Sequence, residues 1–433
     1  MSDRDPGAAP PARIAMLSVH TSPLEQPGTG DAGGMNVYVT GLARALAETG
    51  ASVEIFTRRT GDQPPTEPLA DGVVVRHVTA GAPGLIKDDL PAHLRTFADG
   101  VLDGESNRCA HPFDVVHSHY WLSGLVGRQL VAQWGTPLVH TMHTLAKVKN
   151  LALAPGDAPE ALNRVVGEER VVGAAHALVA STTQEASDLV DLYDADPAAV
   201  HVVAPGVDHQ LFHPGSALLD RAHLAAAQAR ARMGLGIDPE EHIVLFAGRL
   251  QPLKAPDLLI EALAELVSAG HRAPRLVVIG GPSGSPEVAE ELRALAVRNR
   301  VADRVDIRPP VDGAVLAEWY RAADLVAVPS RSESFGLVAA EAQACGTPVV
   351  AAGVGGLCTV VTDGVSGVLV RGHDPLPWAG VLRDLLADPD RRAALAVGAA
   401  RHGSQRSWDA AAEAILTVYG LARARRLADR SAA

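Results

Sequence analysis

The chain has 433 residues, of which 47% are hydrophobic, 20% charged and 4% aromatic, and its formal net charge is −12. This composition is typical of a folded protein and excludes predominant disorder, while the length favours at least two domains. The excess of negative charge disfavours nucleic acid or a membrane surface as a partner. The cysteines, Cys109, Cys345 and Cys358, show no C-x-x-C spacing, so we predict neither a disulfide framework nor a zinc site.

The first residues and the hydropathy pattern indicate the cellular compartment in which the protein is expected. Residues 1–12 are polar and rich in Pro and Ala, with no apolar segment typical of a secretion signal, and we expect a disordered tail there. No apolar run approaches the roughly 20 residues that a membrane-spanning helix needs. We therefore expect a cytoplasmic enzyme.

Short β-branched runs alternate with longer Ala- and Leu-rich stretches of helical spacing. The candidate strands are residues 13–19, 53–57, 73–78, 114–117, 138–143, 177–180 and 200–204, then 243–247, 276–280, 305–308, 325–328, 349–352 and 368–370. Runs that are apolar nearly throughout suit parallel strands covered by helices on both faces. The pattern predicts an α/β fold with two doubly wound, Rossmann-like domains that face a cleft.

A Pro- and Gly-containing segment, residues 203–215, interrupts the alternation before a second strand–helix series begins. We place the domain boundary there, with domains at residues 13–207 and 208–407. Residues 408–433 form a long amphipathic helix with a basic end, which could simply cap a domain through its apolar face.

Three motifs could carry chemistry, and the first lies between the first strand and the first helix. Residues 29–36 read Thr-Gly-Asp-Ala-Gly-Gly-Met-Asn, and a Gly pair at a helix start lets backbone amides approach an anion. The loop is not G-x-G-x-x-G, so it gives no nicotinamide fingerprint. A simple tight turn remains the alternative.

The second motif follows the strand at residues 243–247. Arg249 and Lys254 stand at its carboxyl end, where a forked donor and a point charge could hold a diphosphate. A surface charge pair is the alternative.

The third motif is the most specific. Glu333 precedes a helix and Glu341 lies within it, so both carboxylates can face one cleft and accept from the vicinal hydroxyls of ribose and a hexose. The amides of Phe335, Gly336 and Leu337 at the helix start would favour a phosphate. Alternatively, Glu333 is a helix cap and Glu341 a buried ion-pair partner.

Together, Arg249, Lys254 and the pair Glu333–Glu341 resemble the donor site of retaining glycosyltransferases of the GT-B family. The Gly33-Gly34 turn, with Leu42 and Leu46 behind it, resembles the first βα unit of that family. The likeness runs from about Arg13 to the end of the chain. It implies that the C-terminal helix crosses back onto the N-terminal domain, and that the second domain holds a nucleotide sugar.

Within the family, residues 31–36 and 140–150 closely resemble enzymes of mycothiol biosynthesis that move N-acetylglucosamine from UDP-N-acetylglucosamine to 1D-myo-inositol 3-phosphate with retention. The resemblance implies a first domain that binds the acceptor, and we expect a homodimer. The implied donor-binding residues are Gln26, Pro27, Gly34, Arg249, Lys254, Val311, Glu333, Phe335, Gly336, Leu337 and Glu341. The implied acceptor-binding residues are His20, Asp31, Ala32, Gly33, Gly34, Met35, Asn36, Lys87, Tyr120, Thr144 and Arg164. The implied catalytic residues are His143, Arg249, Lys254 and Glu333.

The resemblance also implies a structural Mg²⁺ ion at Tyr320, Arg321, Ala323 and Thr347, where carbonyls at a helix end lack intrahelical partners. Val311 departs from relatives that carry Arg there, which removes stacking on the uracil and leaves a backbone contact. By resemblance, the leaving diphosphate itself takes the acceptor proton, because no matching carboxylate stands where a protein nucleophile would sit.

Other functions stay open at this point. A phosphatidylinositol mannosyltransferase of the same architecture would need a membrane-docking helix, for which Leu85-Ile86-Lys87 is too short. A UDP-N-acetylglucosamine epimerase of the same fold would lack the acceptor set. An inert sugar-nucleotide sensor would have less use for the full set of Arg249, Lys254, Glu333 and Glu341.

Overall fold

The computed structural model describes residues 12–106, 113–153, 158–283 and 287–432. Nearly all of the expected N-terminal tail, and Cys109, lie outside these residues. The described strands are β1 Arg13–Leu17, β2 Ser52–Arg58, β3 Thr66–Ala70, β4 Val73–Val78, β5 Val115–His119, β6 Leu138–Thr141, β7 Ala177–Ala180, β8 Val200–Val202, β9 Ile243–Ala247, β10 Arg275–Ile279, β11 Val305–Arg308, β12 Leu325–Val328, β13 Val349–Ala352 and β14 Gly367–Val370.

Helices connect these strands and cover both faces of the sheets. They are α1 Gly34–Glu48, α2 Leu94–Ser106, α3 Tyr120–Trp134, α4 Ala146–Leu151, α5 Leu162–Val172, α6 Thr183–Tyr193, α7 Arg221–Leu235, α8 Pro256–Ser268, α9 Val288–Arg298, α10 Gly313–Ala322, α11 Leu337–Ala344, α12 Leu357–Val360, α13 Pro375–Ala387, α14 Pro389–Gly403 and α15 Trp408–Ala432. Short 3₁₀ helices span Lys87–His93, Pro197–Ala199, Pro252–Lys254 and Ala302–Arg304. No helix among the described residues has the length and apolarity needed to cross a membrane.

Two sheets organise the described chain. The first has the strand order β3-β4-β2-β1-β5-β6-β7-β8, and only β3 runs antiparallel to its neighbour. The second has the order β11-β10-β9-β12-β13-β14 and is parallel throughout. In both sheets the first strand in sequence lies in the interior, where the winding direction reverses and ligands of such folds bind. The predicted fold class is therefore confirmed.

Every predicted strand is present within a few residues of its predicted bounds, whereas β3 was not predicted. Its sequence, Thr-Glu-Pro-Leu-Ala, has a proline at its centre and no β-branched run. Pro68 is tolerated because β3 is an edge strand whose pairing with β4 is irregular between Pro68 and Ala70.

The last helix, α15, packs on α1 in the first domain, as the family resemblance implied. Ile415 and Tyr419 are fully buried there, and the Tyr419 hydroxyl lies 2.8 Å from His117 Nδ1 on β5. Trp408 begins the helix against Gly41 of α1, where an added Cβ would lie 2.3 Å from the indole ring. The first domain thus receives its final core residues from the end of the chain.

The chain passes between the two sheets twice, and the two passages lie side by side. Val207 N donates to Arg406 O at 3.2 Å, and His209 Nε2 lies 2.7 Å from the same oxygen. Gly206 is pressed against the backbone of Ser407 and Trp408, so a Cβ there would overlap with it. The boundary predicted near residue 207 lies at this double crossing, and the domain limits stay predictions.

Candidate active site

A cavity of about 1280 Å³ lies between the two sheets and is lined by residues from both. Two hydrogen bonds cross it: Gly281 N donates to Gly28 O at 3.0 Å, and Ser334 Oγ donates to His143 O at 2.5 Å. The cavity exceeds the usual range of about 300–1,000 Å³ for small-molecule pockets, so it has room for more than one substrate.

The loop before α1 forms part of the cavity wall, although not all of its predicted ligand-binding residues face the cavity. Asp31, Gly33, Gly34 and Met35 line it. Ala32 is fully buried, and the Asn36 amide is occupied within the loop, because Nδ2 donates to Thr21 Oγ1 at 2.9 Å and Oδ1 accepts from Gly33 N at 3.0 Å. The side chains of Ala32 and Asn36 therefore hold the loop in shape and do not line the cavity.

The two predicted diphosphate cations differ in their partners. Arg249 crosses from the second sheet to the loop, where a Cβ added at Gly33 would lie 3.3 Å from its Nε, and burial lowers its pKa. Within the described residues, no carboxylate lies at salt-bridge distance from it. Lys254 Nζ instead donates to Glu333 Oε2 at 2.5 Å, and Ser330 Oγ donates to the same oxygen at 3.2 Å.

The segment from Glu333 to Glu341 delivers both carboxylates to the cavity, as predicted. Gly336 begins α11 with φ +101°, a conformation that favours glycine. Gly356 N donates to Glu333 O at 2.8 Å, so the Gly355-Gly356 turn fixes the Glu333 backbone. Sequence reasoning missed this turn, although its signal, a Gly pair after the buried strand β13, resembles that of Gly33-Gly34.

Glu341 is the more buried of the two, at 7% exposure. Its Oε2 accepts from the Tyr320 hydroxyl at 3.0 Å, and burial raises its pKa to about 7. Phe335, Gly336 and Leu337 also line the cavity, with Leu337 Cδ1 3.5 Å from where a Cβ on Gly34 would lie. The start of α11 therefore faces the loop across the cavity.

His143 lies at the end of β6 in a left-handed conformation, φ +60°. Its Nε2 is 3.0 Å from His119 Nδ1, and Tyr38 packs against the ring edge-on with ring centres 4.9 Å apart. Burial lowers the pKa of His143 to about 3, so the ring is neutral near pH 7. A neutral imidazole here can position a ligand by hydrogen bonding, but it carries no charge. His119 and Tyr38 were not predicted as site residues.

The predicted acceptor residues, although distant in sequence, meet around the Tyr120 ring. Lys87 Nζ and Arg164 Cζ lie 4.7 Å and 5.1 Å from the ring centre, and the His20 ring centre lies 4.5 Å away. Arg164 Nη2 donates to Thr144 Oγ1 at 2.8 Å. Tyr120 has φ +71°, a strained value for a non-glycine residue. Within the described residues, neither its buried hydroxyl nor His20 Nδ1 has a hydrogen-bond partner.

The two cations of this set are neutralised to different extents. Arg164 already pairs with two carboxylates. Its Nε donates to Glu168 Oε1 and its Nη1 lies near Glu160 Oε2, both at 2.8 Å. Within the described residues, Lys87 has no carboxylate at salt-bridge distance.

The remaining donor residues line the cavity on both sides. Gln26 and Pro27 belong to the first-domain loop that bonds to Gly281 through Gly28, and Val311 faces them from the second domain. A Cβ added at Gly28 would lie 3.6 Å from Pro310, so this loop and the segment at Val311 are neighbours.

Two of the carbonyls expected to hold Mg²⁺ accept hydrogen bonds from side chains. Tyr320 O accepts from Thr347 Oγ1 at 2.5 Å, and Ala323 O accepts from Gln228 Nε2 at 2.9 Å. Arg232 Nε donates to Ala322 O at 2.9 Å between them. Tyr320 O and Ala323 O thus each accept a side-chain hydrogen bond, and the Mg²⁺ site at Tyr320, Arg321, Ala323 and Thr347 stays a prediction.

Comparison with known proteins adds to this geometry. Residues 33–206 match a family model described as glycosyl transferase 4-like domain, and residues 228–402 match one described as glycosyl transferases group 1. A D-inositol 3-phosphate glycosyltransferase of Xylanimonas cellulosilytica is 58% identical over 97% of this chain and 99% of its own. One of Jonesia denitrificans is 56% identical over 95% and 96%.

Solved structures share the fold. A sucrose-phosphate synthase from Thermosynechococcus elongatus has a TM-score of 0.84 and 30% identity, covering 94% of this chain and 98% of its own. Anabaena HepE in complex with UDP and glucose has a TM-score of 0.71 and 20% identity, covering 93% and 97%.

Proposed function

This chain belongs to the D-inositol 3-phosphate glycosyltransferase family, and from that premise we propose that it transfers N-acetylglucosamine from UDP-N-acetylglucosamine to 1D-myo-inositol 3-phosphate. The products would be UDP and N-acetylglucosaminyl-inositol phosphate, with the anomeric configuration retained. This reaction would be the first step of mycothiol biosynthesis. The observation that carries the proposal is a two-part cavity, with cations and carboxylates for a nucleotide sugar on one wall and a basic, aromatic pocket on the other.

The donor wall offers a partner for each part of a nucleotide sugar. Arg249 and Lys254 would bind the diphosphate, and Glu341 would accept from the ribose hydroxyls. Glu333, held by Lys254, would accept from the sugar hydroxyls. The neutral His143 ring would fix the sugar without adding charge near the breaking bond. Val311 would contact the base through its backbone.

Transfer with retention follows from attack on the face that the diphosphate leaves. The bond from the anomeric carbon to the diphosphate oxygen breaks, the acceptor oxygen bonds to the same face, and the acceptor proton passes to a diphosphate oxygen. The protein contributes orientation, and Arg249, Lys254 and the Gly34 amide stabilise the negative charge that develops on the leaving group. No step of this scheme runs through Mg²⁺, and the structural ion implied at Tyr320, Arg321, Ala323 and Thr347 stays a proposal.

The acceptor pocket distinguishes this reaction from the alternatives. Lys87, Tyr120, Thr144 and Arg164 converge at one end of the cavity, where an epimerase acting on the nucleotide sugar alone would have no use for them. The phosphate of an inositol phosphate could bind both Lys87 and Arg164, which flank the Tyr120 ring.

The test is incubation with UDP-N-acetylglucosamine and, separately, an activated mannose, each with inositol 3-phosphate, inositol or phosphatidylinositol. Mass analysis of the product and NMR of the anomeric coupling give identity and stereochemistry. We expect one α-linked product, from UDP-N-acetylglucosamine and inositol 3-phosphate. A mannosylated lipid, or an isomerised nucleotide sugar without acceptor, would refute the proposal. The homodimer and the cytoplasmic location stay predictions, which light scattering and cell fractionation can check.

A further inference from the structure

One cation in the wall of the acceptor pocket, and the carboxylate paired with it, have no part in the proposed reaction. Lys149, at the end of α4, lines the cavity and its Nζ donates to Glu160 Oε1. The other oxygen of Glu160 lies 2.8 Å from Arg164 Nη1. One carboxylate thus bridges two cations, Lys149 and Arg164, that both face the cavity.

Glu160 is not needed to neutralise Arg164, because the buried carboxylate of Glu168 already does so. Glu168 is fully buried and accepts from Arg164 Nε at 2.8 Å, Ala146 N at 2.9 Å and the Tyr193 hydroxyl at 2.5 Å. These bonds fix Arg164 within the fold. The Glu160 side chain, by contrast, is 22% exposed.

The position of Glu160 depends on the end of α4. Its backbone N donates to Asn150 Oδ1 at 2.7 Å, so the segment before α5 is tied to the end of α4, next to Lys149. Lys87 approaches from the other side of the pocket, over the Tyr120 ring that Arg164 also flanks. Lys87, Lys149 and Arg164 therefore all line the cavity, and the partly exposed carboxylate of Glu160 pairs with two of them.

We propose that Lys149 is a further binding residue for the anionic group of the acceptor, and that Glu160 is an internal anion which that group displaces from Lys149 and Arg164. The inference rests on the proposed function, since it deepens the acceptor site. A phosphate dianion offers more charge and more acceptor oxygens than one carboxylate, so it can compete for both cations. A neutral inositol cannot. Glu160 would then sharpen discrimination between the two, at the expense of absolute affinity.

The decisive variant is Glu160→Gln, which removes the competing charge and keeps the shape. We expect the dissociation constant for inositol 3-phosphate, measured by calorimetry with UDP present, to fall on the order of tenfold, equivalent to ~1.4 kcal/mol. The dissociation constant for UDP should not change, because the proposed diphosphate cations Arg249 and Lys254 lie in the second domain. Lys149→Met should raise the constant for inositol 3-phosphate by a similar factor. In the double variant the gain from Glu160→Gln should shrink, because the cation that Glu160 occupies is absent.

A matched control comes from α5, the helix that follows Glu160. Glu169 pairs with Lys147 at 2.8 Å, and Lys147, unlike Lys149 and Arg164, does not line the cavity. Glu169→Gln should leave the binding of inositol 3-phosphate unchanged, and the midpoint of thermal unfolding verifies that each variant is folded.

Two outcomes would overturn the inference: Glu160→Gln binds inositol 3-phosphate no more tightly than the wild type, or Lys149→Met binds it equally well. Inorganic phosphate serves as a second probe, because its binding reports on the cations whether or not turnover occurs. If the wild type makes no product from inositol 3-phosphate, the proposed function fails. The phosphate titrations of the two variants still decide the role of Lys149 and Glu160.

Discussion

Replacing Glu341 with Gln should stabilise the unliganded protein at pH 8 and weaken nucleotide binding. Burial raises the pKa of Glu341 from an ordinary value of 4.5 to about 7. Between pH 4.5 and about pH 7 the folded state binds more protons than the unfolded state, so the free energy of unfolding falls as the pH rises. Because one pKa unit corresponds to 1.36 kcal/mol, the ionised carboxylate costs the folded state about 3 kcal/mol above pH 7.

Nucleotide binding should show the opposite dependence on pH. Within the described residues, only the Tyr320 hydroxyl donates to Glu341, which leaves Oε1 for the ribose hydroxyls. Hydroxyl donors favour the ionised form, so the wild type should bind UDP more tightly at pH 8 than at pH 5 and release a proton on binding. Gln retains a neutral acceptor, and its loss of affinity at pH 8 should be about fivefold, the difference between a charged and a neutral hydrogen bond.

Two measurements check this reasoning. Thermal unfolding of the wild type and Glu341→Gln at pH 5 and pH 8 should give a stabilisation that grows with pH. Calorimetry of UDP should give a gain in affinity from pH 5 to pH 8 that is larger in the wild type than in Glu341→Gln, because the terminal phosphate of UDP also ionises in this range. Glu290→Gln, an exposed carboxylate on α9, is the control and should change neither. An equal shift in unfolding midpoint at both pH values, together with unchanged UDP affinity, would refute the assignment of Glu341.

Further variants test other parts of the site and the fold. Arg249→Ala should lower kcat/KM roughly 10- to 150-fold, the worth of a charge-assisted contact, and wild-type kcat/KM would show that Arg249 does not hold the diphosphate. Lys87→Ala should reduce the preference for inositol 3-phosphate over inositol in kcat/KM while the unfolding midpoint stays unchanged, and an unaltered preference would remove Lys87 from the pocket. Arg164→Ala should also lower the free energy of unfolding by about 3–5 kcal/mol, because Glu168 is left buried without its cation, as denaturant titration would reveal. Gly41→Ala should destabilise by about 1–3 kcal/mol through the clash with Trp408, and an unchanged denaturation curve would contradict that packing.

The elements of the fold could be predicted because each core strand carries its own signal. The run Ile243–Ala247 is apolar throughout, which predicts a strand of a parallel sheet, and in the structure it is buried along its whole length. The strand β3 lacks that signal, since its Pro68 is acceptable only at the edge that the tertiary structure creates. The residues expected to face the cavity largely do so, because the strand ends that carry them meet at one edge of each sheet.

The partners within the site were less predictable. Lys254 and Glu333 are far apart in sequence and pair only because 3₁₀ and loop segments meet beyond β9 and β12. The contact of His119 with His143 depends on the neighbouring registers of β5 and β6. The sequence does carry one signal of this kind: Arg164 and Glu168 are four residues apart in α5, a spacing that predicts an ion pair on one helix face.

The return of α15 to the first sheet determines when the chain can finish folding during its synthesis. Ile415 and Tyr419 cover the apolar face of α1 and β5, and they follow the entire second domain in sequence. Domains synthesised first generally fold first. Here the N-terminal half emerges with an uncovered apolar surface and must wait through translation of the entire second domain before its own core is closed. A nascent chain stalled before Trp408 would therefore present a folded second sheet beside an incomplete first one, and it would be the species most exposed to chaperones and aggregation.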